Sequence, residues 1–357
     1  MRIVQLIDSL EAGGAEKMAV TYANALSEVI LFSGLVATRN EGPLKDNIVQ
    51  KENYLFLNRK KTVDFKALTV FKNYIKNNKI EIIHAHSSSV YFAFLTKIMV
   101  PKIKIIWHDH YGNSEMLKKR GFKKLKIVSL FLFGIVSVNH QLKKWAEKKL
   151  WCKKIIYLPN FIKFGSIETL KKTQLKGSEG KRILCLANLR PQKNHEMLIN
   201  IVKSIKENYP NYTFHLVGKD FNDSYSRKIK DAIQQNELQE NVFIYGSKPD
   251  IFTIINQASI GILTSNSEGL PVALLEYAMG KLAVICTNVG EISSIIKDNE
   301  NGFLIEPSNE RAFTNALTIL INDDEKRQSM AQNLHDDVLK LYHEKQIIAK
   351  YKMWILD

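Results

Sequence analysis

Cysteine is scarce in this chain of 357 residues, and its three cysteines, Cys152, Cys185 and Cys286, are far apart. An odd, widely spaced set without a Cys-x-x-Cys pair forms neither a disulfide framework nor a zinc motif, so we expect reduced thiols with packing roles. The Gly-x-Gly-x-x-Gly spacing is missing after the apolar segment Ile3–Ile7, which argues against a dinucleotide oxidoreductase. An Asp-x-Asp triplet for Mg²⁺ is missing at every predicted strand end. The sequence therefore predicts neither a metal nor a cofactor.

Long hydrophobic runs are also missing. The apolar stretch from Ile127 to Val138 has 12 residues, fewer than the roughly 20 that a helix needs to cross a membrane. The N-terminal segment Met1–Asp8 has polar residues where a signal peptide keeps its apolar core, so we expect it to form a first strand. Together with the reduced cysteines, this predicts a cytoplasmic protein without a membrane span.

The order of apolar segments predicts a doubly wound α/β protein. A length of 357 residues with 45% hydrophobic residues favours two domains and excludes disorder. Helix-length amphipathic segments separate the apolar runs, as in parallel sheets with crossover helices. We place the domain border near Leu158–Phe161, before a polar stretch from Lys171 to Gly180, which gives domains of residues 1–160 and 161–343. The predicted strands are Ile3–Ile7, Ile80–Ile83, Ile103–Trp107, Ile135–Val138, Ile183–Leu186, Phe214–Val217, Val242–Tyr245 and Ile260–Leu263.

Positive charge is concentrated in the first domain. Residues 1–160 contain 27 Lys and Arg against 12 Asp and Glu, whereas residues 161–357 contain 24 of each, so the whole net charge of +15 lies in the first part. This asymmetry predicts an anionic partner. Nucleic acid is not expected, because no basic motif has interleaved aromatic residues. The densest cluster precedes the apolar segment Ile127–Phe133, which predicts either a site for an anionic membrane surface or a solvated helix that leads into a buried one. Its members are Lys118, Lys119, Arg120, Lys123, Lys124 and Lys126.

Two glutamates at a spacing of eight residues carry the most functional information. Glu268 lies on the loop after the predicted strand Ile260–Leu263, and Glu276 lies on the helix that begins near Pro271. Backbone amides at the start of that helix, near Gly269 and Leu270, form an anion site together with the helix dipole. Carboxylates repel phosphate but accept hydrogen bonds from hydroxyl groups. The segment therefore predicts a ligand with a charged centre and hydroxyl-rich ends, such as a nucleotide sugar, whereas the spacing alone would also fit two solvated glutamates.

The pattern Glu-x7-Glu with Gly-x-Pro after the first Glu resembles the retaining glycosyltransferase family 4. The resemblance continues through Val284–Glu291 and Asn301–Ile305, and it includes Leu189–Asn194 and Gly13–Glu16. It implies the GT-B fold, in which two Rossmann-like domains face each other across a cleft and a C-terminal helix crosses back to the N-terminal domain. Here that helix would be Glu344 to Leu356, with Tyr351 and Trp354 as its anchors.

The resemblance also implies roles for particular residues. Glu268 would contact the donor sugar, and Glu276 the ribose hydroxyls. The loop with Gly14 would lie beside the acceptor and the donor phosphates. His110 would lie near the reacting carbon of the donor sugar. His108 is the alternative, because the match to the family motif can be shifted by two residues.

Two cations precede the helix that we expect at Asn194–Asn208. Arg190 can place a forked pair of donors on phosphate oxygens, and Lys193 can act as a point charge. Many family members have Gly-Arg-Leu where this chain has Ala187-Asn188-Leu189, so Asn188 stands where the family has arginine. Arg190 is the candidate replacement for that charge, and ordinary surface residues are the alternative.

Four histidines form the pairs His84-Ala85-His86 and His108-Asp109-His110, each at the end of a predicted strand. Residues two apart on a strand share a face, and ligands of open α/β sheets bind at these strand ends. Three interpretations are open: residues facing a cleft, where His86 or Asp109 would contact the acceptor, buried structural histidines, or a metal site. The metal site lacks a pattern for its remaining ligands.

These observations predict a metal-independent hexosyl- or N-acetylhexosaminyltransferase. Cations and helix amides would stabilise the charge on the departing nucleoside diphosphate, and the resemblance implies a retained anomeric configuration. The donor would be UDP- or GDP-linked, and the acceptor a glycan or polyprenyl-linked glycan at the inner face of the cell membrane, in surface polysaccharide synthesis. The alternatives are a UDP-N-acetylhexosamine epimerase of the same fold and a non-catalytic protein that binds sugar nucleotides or glycans.

Overall fold

A computed structural model of the chain describes residues 1–11, 13–162 and 173–357. The chain divides into two compact units. The first unit comprises Met1–Phe164 and Glu344–Asp357, and the second unit comprises Gly165–His343. The polar stretch expected from Lys171 begins outside the described residues.

Each unit contains one parallel β-sheet. The strands are β1 (Arg2–Ser9), β2 (Phe32–Asn40), β3 (Tyr54–Phe56), β4 (Ile82–His86), β5 (Lys104–Asp109), β6 (Gly134–Ser137), β7 (Ile155–Tyr157), β8 (Arg182–Leu186), β9 (Thr213–Val217), β10 (Val242–Gly246), β11 (Ile260–Leu263), β12 (Ala283–Thr287) and β13 (Phe303–Ile305). The order is β3-β2-β1-β4-β5-β6-β7 in the first unit and β10-β9-β8-β11-β12-β13 in the second. These are Rossmann-like orders that reverse direction beside β1 and β8, so the predicted α/β class is confirmed.

The helices are α1 (Gly14–Ser27), α2 (Phe65–Asn77), α3 (Val90–Met99), α4 (Lys123–Val128), α5 (His140–Lys149), α6 (His195–Asn208), α7 (Ser224–Gln235), α8 (Ile251–Ile255), α9 (Val272–Met279), α10 (Glu310–Asn322), α11 (Asp324–Leu341) and α12 (Glu344–Leu356). Several begin after an Asn or Asp whose side chain accepts a backbone N–H, which explains why they start where they do. These caps include Asp64, Asn139, Asn194 and Asp223. Over the described part of the chain, no helix has the length and hydropathy to cross a membrane.

All eight predicted strands are present, and most of them differ from the predicted bounds at one or both ends. β4 ends at His86 and β5 at Asp109, so His84, His86 and His108 lie within strands. Five strands were not predicted: β2, β3, β7, β12 and β13. β3, β7 and β13 have three residues each, too few to show a periodic pattern.

The C-terminal helix α12 belongs to the first unit, as the resemblance implied. Tyr351 is fully buried there, and its hydroxyl lies 2.9 Å from Nδ1 of His84. The Trp354 ring lies so close to Gly134 on β6 that a Cβ at that glycine would be 2.5 Å from it. Gly134 thus permits the contact, and the predicted anchors Tyr351 and Trp354 both pack against the first sheet.

Strand order brings the predicted functional loops of each unit to one edge of its sheet. In the second unit β8 pairs with β11, and β11 with β12. In the first unit β1 pairs with β4, and β4 with β5. All these strands are parallel, so their carboxyl ends meet at the edge where open α/β sheets bind ligands.

Candidate active site

The loop from Thr264 to Pro271 connects β11 to α9 in the second unit, and hydrogen bonds fix it from two sides. The Thr264 hydroxyl donates to the carbonyl oxygens of Lys193 and Asn194, at 3.0 and 3.1 Å. The Thr287 hydroxyl, at the end of β12, donates to the Ser265 carbonyl at 2.5 Å. The start of α6 and the end of β12 therefore anchor the backbone of this loop from two sides.

Glu268 lies on this loop and is 5% exposed. Its Oε1 accepts hydrogen bonds from Lys193 Nζ at 2.5 Å and from the Ser265 hydroxyl at 2.6 Å. A buried carboxylate needs such partners because desolvation of its charge is costly. Lys193 remains 21% exposed and has three donors, so its ammonium can bind a second anion while it is paired with Glu268.

Gly290 supports the backbone below Glu268. It has a φ of +60°, and a Cβ at this position would lie 2.4 Å from the Glu268 carbonyl oxygen and 2.5 Å from that of Gly269. The next amide, of Glu291, donates to the Gly269 carbonyl at 2.9 Å. Gly290 belongs to the segment Val284–Glu291 that carries the family resemblance, which implied no role for it. Its structural role is to allow the loop after β12 to approach the loop that carries Glu268.

Glu276 lies on α9 and is 6% exposed. The helix begins at Val272, so Pro271 is its cap and not its first residue. The adjacent Tyr277 is fully buried, and its hydroxyl donates to the Leu184 carbonyl at 3.0 Å and accepts from the Leu186 amide at 2.6 Å. Tyr277 therefore fixes α9 against β8. Gly269 and Leu270 lie between the two glutamates, just before the helix, where sequence analysis placed the anion site.

The two predicted cations differ in their contacts. Lys193 ends a short 3₁₀ helix, Pro191–Lys193, and pairs with Glu268. Arg190 is exposed, and its guanidinium lies 4.5 Å from the centre of the Phe221 ring. Asn188 accepts a hydrogen bond from the Lys219 amide at 2.7 Å. Asn188 thus shapes the loop, and Phe221, which sequence analysis missed, orients the arginine.

Gly14, the predicted phosphate-loop residue of the first unit, is the first residue of α1, with Gly13 as the cap. The Lys17 amide donates to the Gly13 carbonyl at 2.8 Å. The structure thus places Gly14 at a helix N-terminus after β1.

The four paired histidines form one cluster in the first unit. His84, His86 and His108 have no exposed surface, and only His110 is partly exposed. Of the three open interpretations, burial matches that of buried structural histidines for His84, His86 and His108, because the side chains of Tyr22 and Tyr351 pack over their rings. Burial holds the pKa of all four imidazoles below the usual value, so they are neutral. His108, the substitute for His110, has no surface to offer a ligand.

The same cluster contains the group of described residues that could hold a metal ion. Ring nitrogens of His84, His86 and His108 lie within 4.8 Å of one another. However, both nitrogens of His86 are in hydrogen bonds, to Gln5 and to His110, and Nδ1 of His84 bonds to Tyr351. A metal at this position would have to displace one of those bonds.

Arg120 does not belong to the basic surface that sequence analysis assigned to it. It is 10% exposed and forms two hydrogen bonds to Asp109, at 2.7 and 2.8 Å. Its guanidinium lies 4.1 Å from the centre of the Trp145 ring and 4.3 Å from that of Tyr111. Asp109 is thus committed to an ion pair that fixes the segment next to His110, and the predicted acceptor contact by Asp109 is not supported.

Comparison with known proteins covers nearly the whole chain. The family model for glycosyltransferase family 4 matches residues 12–164, and the model for glycosyl transferases group 1 matches residues 166–336. The UDP-Gal:α-D-GlcNAc-diphosphoundecaprenol α-1,3-galactosyltransferase of Escherichia coli is 25% identical over 89% of this chain and 87% of its own. An α-1,4-N-acetyl-D-galactosaminyltransferase of Campylobacter jejuni, named for an undecaprenol-linked acceptor, is 24% identical over 93% of this chain and 92% of its own.

Solved structures show the same fold. Staphylococcus aureus TarM, solved with UDP and α-GlcNAc-glycerol, superposes with a TM-score of 0.81 at 13% identity over the full length of both chains. Anabaena HepE, solved with UDP-glucose, gives a TM-score of 0.79 at 14% identity over 99% of this chain and 100% of that chain. The two sheets, the returning helix α12 and these matches identify the chain as a GT-B glycosyltransferase of family 4.

Proposed function

We propose that this glycosyltransferase transfers a hexosyl or N-acetylhexosaminyl group from a UDP-linked donor to a glycan on a polyprenyl-diphosphate carrier, with retention at the anomeric carbon. The observation that carries the proposal is the Lys193–Glu268 pair beside the start of α9. The named acceptors of the Escherichia coli and Campylobacter jejuni relatives, and a relative named for amylovoran biosynthesis, support a polyprenyl-linked acceptor in polysaccharide synthesis. The UDP complexes of TarM and HepE support UDP as the donor nucleotide, with GDP as the alternative.

The chemistry follows from what these groups can do. Transfer breaks the bond between the anomeric carbon and the diphosphate oxygen, and negative charge accumulates on the departing diphosphate. The Lys193 ammonium and the amides near Gly269 and Leu270 would stabilise that charge without a metal. Arg190 is the second candidate cation, and Glu276 the acceptor for the ribose hydroxyls.

Retention requires attack from the side on which the diphosphate leaves, or a covalent intermediate. Glu268 is engaged by Lys193 and Ser265, which favours a hydrogen-bonding role over that of a nucleophile. We therefore propose front-face attack, in which the acceptor hydroxyl bonds to the anomeric carbon and its proton passes to the departing phosphate oxygen. His110 would lie at the donor sugar.

Calorimetric titration with UDP, GDP, ADP and NAD, without added metal, tests the donor site. We expect UDP to bind. Glu276→Gln should weaken it about 10- to 100-fold, because one hydrogen bond to a charged group is lost. Glu196→Gln is the matched control, since Glu196 is an exposed glutamate of the same unit. Binding of NAD alone, or UDP affinity unaffected by Glu276→Gln, would contradict the proposal. Tighter binding of GDP than of UDP would indicate that the donor nucleotide carries guanine.

The first unit also has a surface that suits an anionic membrane. Four apolar side chains there, Ile127, Leu130, Phe131 and Trp151, are 46% to 59% exposed. The Trp151 amide donates to the Ser129 hydroxyl at 2.9 Å, which joins this residue to the segment that carries the other three. We call these four residues the apolar patch. Lys126 stacks on Trp151 at 4.8 Å, and the neighbouring lysines 118, 119, 123 and 124 are exposed.

Such a patch predicts peripheral binding at the inner face of the cell membrane, where the lipid-linked acceptor would be available. Each lysine near anionic lipid contributes about 1 kcal/mol. Changing the four exposed lysines to glutamine should therefore weaken binding to phosphatidylglycerol vesicles about 100-fold or more, as measured by co-sedimentation. The matched control changes four exposed lysines of the second unit, Lys203, Lys228, Lys281 and Lys340. Equal losses in both variants, or equal binding of wild type to neutral vesicles, would contradict this site.

A further inference from the structure

A row of three hydrogen-bonded side chains runs from the centre of the first sheet to His110. Gln5 on β1 and His86 on β4 have no exposed surface. Oε1 of Gln5 lies 2.9 Å from Nε2 of His86, and Nδ1 of His86 lies 2.9 Å from Nε2 of His110. This row ends at the one histidine of the cluster that is partly exposed.

The chemistry of the row determines where its protons lie. Burial keeps His86 and His110 neutral, so each ring has one N–H donor and one lone pair. The structure orients the Gln5 amide with Oε1 toward His86 and leaves Gln5 Nε2 buried without a partner among the described residues. In this orientation the Gln5 oxygen can only accept, so His86 carries its proton on Nε2. Nδ1 of His86 is then the acceptor, and the proton of the second hydrogen bond belongs to Nε2 of His110. What remains on His110 is the lone pair of Nδ1.

We infer that Gln5 and His86 are positioning residues that fix His110 in the Nε2–H tautomer, with Nδ1 as a hydrogen-bond acceptor for a hydroxyl group of the sugar substrate. This inference rests on the proposed function, because that proposal places His110 at the donor sugar. The other tautomer would donate its N–H to the hydroxyl oxygen, so the direction of this hydrogen bond would be reversed.

His86 differs from its neighbours in a way that supports this role. Among the described residues, Nε2 of His84 and both nitrogens of His108 lack a hydrogen-bond partner, whereas both nitrogens of His86 have one. A buried polar group without a partner costs stability, so an entirely apolar core would be less costly here. His86 therefore differs from the other buried histidines of the cluster in the two hydrogen bonds that it makes within the row.

Nuclear magnetic resonance of the full chain labelled with ¹⁵N-histidine tests the inference directly. Long-range ¹H–¹⁵N correlations distinguish the two tautomers of each ring. We expect both His86 and His110 to be Nε2–H in the wild type. In Gln5→Met, which removes the acceptor at similar volume, His110 should become a mixture of tautomers, and kcat should fall about 10- to 100-fold with little change in KM. A wild-type His110 with its proton on Nδ1 would overturn the inference.

Tyr351→Phe is the matched control. It removes a buried hydrogen bond of the same length from His84, which lies in the same cluster but outside the row. We expect it to lower the melting temperature, as Gln5→Met does, while the His110 tautomer and kcat stay unchanged. Full activity of His110→Ala would contradict the contact between His110 and the sugar. The tautomer measurement would still test the hydrogen bonds among Gln5, His86 and His110. If His86 or His110 carries its proton on Nδ1 but UDP binds as proposed, this inference is contradicted and the proposed donor site is not.

Discussion

Replacing Lys193 by alanine is expected to lower kcat about 100- to 1,000-fold, the cost typical of removing one preorganised donor from a developing negative charge. Lys193 is a cation of the second unit that contacts a predicted site residue directly, at 2.5 Å from Glu268. Its removal also leaves the Glu268 carboxylate buried with Ser265 as its remaining described partner, and that carboxylate would repel the diphosphate. Initial rates with UDP-sugar donors and a polyprenyl-diphosphate glycan measure the effect.

Lys228→Ala is the control for the loss of one positive charge. Lys228 also forms an ion pair with a glutamate, Glu196, but both side chains are largely exposed, and exposed ion pairs contribute about 0 to 1 kcal/mol. We expect its kcat to match the wild type. Equal activity of the Lys193 and Lys228 variants, with both folded by circular dichroism, would remove Lys193 from the mechanism. Partial activity of Lys193→Arg would indicate that the positive charge at this position contributes more than the exact geometry of the lysine ammonium.

The predicted parts of this site came from local patterns. Glu268 and Glu276 were assigned from a strand, a loop and a helix that follow one another, and β11 has the predicted bounds Ile260–Leu263. The helix after Lys193 was likewise expected, and it begins at the Asn194 cap. Local sequence determines such elements because strand burial, caps and helix starts depend on neighbouring residues.

The unpredicted parts depend on contacts between distant residues. Lys193 and Glu268 are 75 positions apart, and their pairing follows from the adjacency of β8 and β11. Arg120 looked like one member of a basic run, but its partner Asp109 lies at the end of β5. His84 is covered by Tyr351, from the far end of the chain, and both His84 and His108 pack against Tyr22. Alternation along a strand predicts a shared face, but whether that face is covered depends on which helix packs there.

Gly290→Ala is expected to reduce both stability and activity through the backbone of Glu268. An alanine at a φ of +60° costs about 1 to 2 kcal/mol in backbone strain. Its Cβ would in addition lie 2.4 Å from the Glu268 carbonyl oxygen and 2.5 Å from that of Gly269, so the loop must move by roughly 1 Å. A displacement of that size at a catalytic position costs about 100-fold in rate. We therefore expect kcat to fall about 100-fold and the free energy of unfolding to fall by about 3 kcal/mol.

Gly246→Ala separates the strain from the displacement. Gly246 has a similar φ of +68°, but an added Cβ there would have no heavy atom within 4 Å. It should therefore lose the strain energy alone, about 1 to 2 kcal/mol, and keep the wild-type kcat. Calorimetric melting and initial rates on both variants make the comparison. If the two alanine variants are equally active, the position of the Glu268 backbone does not limit catalysis. If only Gly290→Ala loses activity while it remains folded at the assay temperature, the contact between the loops after β11 and β12 is what positions Glu268 for the sugar.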